Sequence, residues 1–173
     1  MKMELTDDLL SGGDLRSIGN SNTVVVLTTS QHDFDALFRL LFSHDRLVAM
    51  RCADAIEKIT SKNPGYLAKH KTAIIELCKK ARHKELQWHL ALILPRLALS
   101  GHEFEFAWKL LSAWAADSGN SKIVRVNAIT GLAALIQKNN LLRARLYDLL
   151  DKMSAEKIPS INARIRKIKN EIY

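Results

Sequence analysis

Four alanines recur at near-constant spacing. Ala53, Ala91, Ala128 and Ala163 are separated by 38, 37 and 35 residues, and each lies in a stretch whose apolar side chains step by three and four. Writing residues 46–59, 84–97, 121–134 and 156–169 under one another also places Val48, Leu86, Ile123 and Ile158 in one column. A period near 37 with two helical stretches per unit leaves few folds open. One such unit cannot bury its apolar face alone, so neighbouring units must stack. A small residue in the shared column lets one helix approach the next closely.

The stops between stretches support the same reading. Phe34, Leu37, Phe38, Leu41 and Phe42 form a first amphipathic segment. Asp45 caps a second, with Val48, Cys52, Ala55, Ile56 and Ile59 on one side. The turn Lys62-Asn63-Pro64-Gly65 ends it. A third carries Leu67, Ile74, Leu77 and Cys78. A fourth carries Leu86, Leu90, Ile93, Leu94 and Leu97, shortened or kinked by Pro95 and closed by Ser100-Gly101. Phe104, Ala107, Trp108, Leu111 and Trp114 mark a fifth; after the polar loop 117–121, Ile123, Val126, Ile129, Leu132, Leu135 and Ile136 mark a sixth. Two last segments fall near 141–153 and 159–172. Ahead of these, Gly12 to Gly19 reads as a turn plus a short helix. The β-branched run Thr23 to Val26 suits helix or strand, and helix is preferred because a lone strand would lack a partner. Seven glycines and three prolines are too few for a many-turned sandwich or barrel.

Residues 45–56, Asp-Arg-Leu-Val-Ala-Met-Arg-Cys-Ala-Asp-Ala-Ile, and residues 121–129, Ser-Lys-Ile-Val-Arg-Val-Asn-Ala-Ile, each join an apolar–Arg pair to following alanines. In this they resemble the second helix of a HEAT repeat. The resemblance covers residues 32–173 and departs from the pattern at 84–99, where Trp88-His89 stands in place of the Arg and Pro95 lies near the end. It implies an all-α, right-handed α–α superhelix of stacked helix pairs. The chain would be a single domain, 1–173, with 1–31 as an N-terminal cap. Second helices of such repeats line a concave face, which makes Arg51, Trp88, His89 and Arg125 the candidates to reach a partner. HEAT-like DNA glycosylases engage damaged DNA with aromatic residues and an acid on a concave basic surface, and by that resemblance Trp114 and Asp117 are the positions to watch. The ordinary reading of Trp88, Trp108 and Trp114 is core between repeats.

The net charge is +8 with a pI near 9.6, which permits an acidic partner. The excess is local: residues 62–96 hold eight basic and two acidic side chains, and residues 141–173 hold eight and four. Lys79, Lys80, Arg82 and Lys84 cluster at one inter-helix turn, where they complement a helix C-terminus. Arg164, Arg166, Lys167 and Lys169 crowd the last segment, where a polar outer face caps a stack. Phosphate binding is the alternative use of both clusters. No Gly-rich loop precedes a Lys-Ser/Thr. His83, Glu85 and His89 miss the His-Glu-x-x-His spacing. Ser154-Ala155-Glu156-Lys157 fits Ser-x-x-Lys without its companion motifs, and reads as a loop and cap. Cys52 and Cys78 read as buried free thiols. No cofactor or metal is expected, no apolar run approaches a membrane span, and a cytoplasmic location is the expectation. The functional expectation is a non-catalytic protein-binding or scaffold module for an acidic or extended protein surface, with nucleic-acid binding as the alternative.

Overall fold

A computed structural model describes residues 10–13 and 19–172. These residues are all-helical, with α1 (Ser21–Leu27), α2 (Gln31–Leu40), α3 (Arg46–Lys62), a 3-10 stretch (Pro64–His70), α4 (Lys71–Lys80), α5 (Lys84–Ile93), a 3-10 turn (Leu94–Arg96), α6 (Gly101–Ala116), α7 (Lys122–Ile136), a second 3-10 turn (Asn140–Leu142), α8 (Arg143–Ser154) and α9 (Pro159–Ile172). The short helix expected between Gly13 and Gly19 lies outside the described residues. The run 23–26 is helical, inside α1. The chain divides into two compact units, 1–73 and 74–173.

Local chemistry sets most of the boundaries. Asp45 caps α3, its carboxylate accepting the backbone N–H of Leu47 at 2.7 Å. Ser30 and Ser121 cap α2 and α7 in the same way. Asn63-Pro64 ends α3, and Pro64 then opens a 3-10 stretch, so the third predicted segment is two pieces and its α-helix starts only at Lys71. Pro95 stops α5 at Ile93, because its ring removes a helical N–H and crowds the preceding turn. The carbonyls freed there accept Lys138 Nζ, at 2.7 Å from Pro95 and 3.0 Å from Leu97. Ser100-Gly101 does not close that helix. Ser100 forms a capping box with Glu103, whose carboxylate accepts the Ser100 N–H at 2.6 Å, and thereby starts α6.

In the first unit, α1, α2 and the 3-10 stretch all pack on α3. Phe34, Leu37, Val48, Cys52, Ala55 and Ile56 are buried between them. His70 stacks on Phe38 with centroids 3.9 Å apart, and its Nε2 lies 2.8 Å from Asp35 Oδ1. Gln31 Nε2 donates to the same oxygen at 2.6 Å. That bond, with His70 and Lys69 alongside, holds the Asp35 carboxyl below its usual range against the opposing effect of burial.

In the second unit α7 is the centre. Its sequence is apolar on nearly every side, which is the pattern of a helix surrounded by others. It packs on α5, α6, α8 and α9, while α8 also packs on α6 and α9. From α6 onward neighbours in sequence therefore pair, and helices two apart in sequence also touch. Asn127 Nδ2 donates to the Trp88 carbonyl at 2.9 Å, and farther along Gly131 meets the Ala91 carbonyl so closely that a Cβ there would collide with it. Both contacts advance in the same direction, so α5 and α7 run parallel. Glu156, just before α9, bonds Arg125 near the start of α7, and Ile172 at the end of α9 shares a pocket with Ile136 at the end of α7. α9 is thus parallel to α7 as well. One layer holds α5, α7 and α9, and the other holds α6 and α8.

The alanine column is correct in part. Ala53, Ala91 and Ala128 are fully buried. Ala91 does sit at a close helix approach, but opposite Gly131, because adjacent parallel helices meet through different sides. Ala163 is exposed, since no described element of the second unit covers that side of α9. The column of Val48 and Ile123 fails similarly: Val48 is buried and Ile123 is 46% exposed.

Candidate functional site

Three of the four residues expected on a binding face, Arg51, His89 and Arg125, are buried, and only Trp88 keeps part of its surface open. Arg51 is 2% exposed and Arg125 is 1% exposed. A guanidinium so enclosed must have its hydrogen bonds met inside the fold. Arg51 Nη1 donates to the carbonyls of Leu10, Ser11 and Gly12 at 2.9, 3.0 and 2.6 Å. Gly19, at φ +52°, leaves the space the guanidinium fills; a Cβ there would stand 2.8 Å from Arg51 Cζ. Two further residues on the same side of α3 extend this clasp. Asp54 accepts Ser21 Oγ at 2.5 Å, and Lys58 Nζ donates to Asn22 Oδ1 at 2.7 Å.

Arg125 binds three elements together. Its Nε donates at 2.8 Å to the Ala115 carbonyl, one of the orphan acceptors at the end of α6. Its Nη1 and Nη2 form a two-pronged bond to the Glu156 carboxylate at 2.7 and 2.6 Å. The bonds to Arg125 hold the Glu156 carboxyl below its usual range, and the carboxylate in turn raises the arginine. Arg51 and Arg125 are thus structural, and the sequence reading that aimed them outward is corrected. Apart from the Ala115 carbonyl, their partners lie 31 to 41 residues away, which no local pattern contains.

The other two candidates lie close together on α5. Trp88 is half-buried and meets His89 edge-on, ring centroids 5.6 Å apart. His89 is buried. Trp108 and Trp114 are both buried, as the core reading expects, so Trp114 is no surface platform. Asp117 caps the end of α6, its carboxylate accepting the Gly119 N–H at 2.9 Å.

The basic clusters are exposed, except that Arg164 and Lys169 are half-buried. Lys79 pairs with Glu76 at 2.6 Å and lies over the Phe106 ring, and Arg82 Nη1 contacts the carbonyls of Lys79 and Ala81 beyond the end of α4. That is the expected helix-end compensation. Lys167 lies 3.8 Å from Glu171, and Lys169 bonds Asp151 at 2.7 Å.

What sequence order hid is how charge divides between layers. The helices α5, α7 and α9 carry seven basic and two acidic side chains, whereas α6 and α8 carry four of each. Of the two acids, Glu85 is buried and Glu171 lies in the last turn of α9. The solvent side of α7 holds Ile123, Val126, Asn127, Thr130 and Ala134 and no charge between Lys122 and the helix end. Lys84, Lys122 and Arg166 are exposed on the three helices of this layer. At its far end Ile136, Gln137, Asn140, Arg143 and Ile172 line a shallow pocket of about 260 Å³.

Comparison with known proteins returns no matching family model, no matching curated protein and no matching solved structure. Among the described residues no three His, Cys, Asp or Glu side chains are grouped to hold a metal ion, and no helix is long and apolar enough to cross a membrane. Cys52 and Cys78 are free and buried, as read from the sequence. Burial raises both thiols, Cys78 to about 12, which removes them as nucleophiles near neutral pH.

Proposed function

We propose that this chain is a non-catalytic protein-binding module, built as a HEAT-like stack of helix pairs, that grips its partner on the exposed side of one helix layer. The observation that carries the reading is the pair of layers in the second unit, with α5, α7 and α9 parallel and α6 and α8 behind them. Stacking of this kind creates an extended surface without requiring a catalytic constellation. The buried ionic groups support a scaffold: Arg51, Asp54 and Arg125 all hold elements together. Two reduced, buried thiols fit a cytoplasmic setting.

Nucleic-acid binding is the second reading, favoured by the basic excess of the α5–α7–α9 layer. The two readings separate by salt. A phosphate track releases condensed counterions, so affinity falls steeply as salt rises. We expect duplex and single-stranded nucleic acid to bind only weakly near physiological salt, with no sequence preference. Tight binding with a steep salt slope, abolished by charge reversal on this layer, would replace the protein-binding reading with the nucleic-acid one.

A further inference from the structure

Resting on that reading, we infer that the α5–α7–α9 face takes an extended acidic protein segment whose ends are anionic and whose middle is apolar. Three features of the face specify this occupant. The first is sign. No acidic side chain is exposed on α5 or α7, since Glu85 is buried and α7 contains no acid. The second is where the cations stand. Lys84 and Lys122 begin two parallel helices and so lie at the same end of the layer, while Arg166 stands on α9 at its far side; all three are exposed, and none of their side chains has a hydrogen bond or ion pair with any described residue. The third is the ground between them. Ile123 is 46% exposed, and Val126, Asn127, Thr130 and Ala134 continue an uncharged strip along α7.

This arrangement suits a peptide better than a polynucleotide. A phosphate backbone carries charge at every step and calls for a continuous track of cations, but the middle of this face is neutral. Bases need exposed aromatic planes to stack on, and Trp88 is half-buried against His89. A peptide can place carboxylates over the flanking cations and apolar side chains over Ile123 and Val126. Parallel neighbours lie about 8–10 Å apart, so crossing three helices spans roughly 20 Å, or about six residues of extended chain. The Asn127 amide and the Thr130 hydroxyl donate internally, to the carbonyls of Trp88 and Val126, which leaves Asn127 Oδ1 and the Thr130 hydroxyl oxygen as acceptors for main-chain N–H groups.

The test is a fluorescence titration near physiological salt with a labelled peptide of about six residues, glutamates at both ends and valine and leucine between. Wild type is compared with the triple variant Lys84→Glu, Lys122→Glu, Arg166→Glu and with a control, Arg145→Glu, Lys152→Glu, on exposed positions of α8. All five sites are on the surface, and Glu at the first position of α5 and α7 agrees with the helix dipole, so the variants fold; melting curves verify this. Saturable binding is expected, weakened by about tenfold or more in the triple variant and by less than about twofold in the control. An equal loss in the control, or no saturable binding, would overturn this occupant while leaving a protein-binding module intact. Tighter binding of single-stranded DNA of matched charge, lost in the triple variant, would overturn both.

Discussion

Arg125 shows how far the role of a residue can lie from its sequence context. The resemblance to a HEAT second helix places it on a concave face open to a partner. Its guanidinium is instead the join between the end of α6, the body of α7 and the turn before α9. Arg125→Ala removes this join and leaves the Ala115 carbonyl unmet, at an expected cost of about 2–4 kcal/mol; thermal or urea unfolding measures it. Arg166→Ala, on the exposed side of α9, stays within about 0.5 kcal/mol of wild type. Arg51 is turned inward in the same way, since the three carbonyls it holds lie some forty residues upstream. Asp35 gives a prediction in pH. Its folded carboxyl is held below the ordinary value of 3.8, so the charged form stabilises the fold above that value and the contribution fades as pH falls through the folded value. Asp35→Asn should therefore melt below wild type at pH 7, and the gap should close in strong acid. An equal gap at both ends of the pH range would show that the shape of the side chain matters and its charge does not.

At the scale of the element, the cues that were legible are those that act locally. Asp45, Asn63-Pro64 and Pro95 each end or begin a helix where their chemistry requires, because a cap or a proline acts within one turn. Ser100-Gly101 was harder, since serine before glycine suits the end of one helix as well as the start of the next, and only the reciprocal bond with Glu103 decides. In the second unit the alanine period picks out the three helices of one layer, α5, α7 and α9, but not which residues meet. Ala91 faces Gly131, so the closest approach depends on a glycine that shared no column with it. Gly131→Leu must push α7 off α5, because the neighbouring atoms include the Ala91 backbone. We expect it to cost more than Ala128→Leu, itself overpacked by roughly 1–3 kcal/mol. If both variants melt with wild type, the α5–α7 contact is not where the structure puts it.

At the scale of the molecule, the all-helical class was legible and the face was not. Apolar periodicity identifies helices wherever they occur, whereas the layer a helix joins depends on which neighbours it packs against. Composition by stretch made the basic residues look like one turn and one terminal helix; sorting them by layer gathers Lys84, Lys122 and Arg166 on one side of the second unit. The parallel order can be tested alone. Spin labels at Lys84 and Lys122 should be separated by about 10 Å between helix axes, and labels at Lys84 and Ala134 by roughly 20 Å; an antiparallel α5–α7 pair would reverse that order. The binding claim is tested most directly by ¹⁵N NMR titration of the intact chain with the acidic peptide. Amide shifts are expected at the solvent-facing positions of α5, α7 and α9, including Ile123, Thr130 and Ala163, with Ala113 on α6 and Ala144 on α8 unmoved. Shifts concentrated on α6 and α8, with the α5–α7–α9 layer silent, would contradict it.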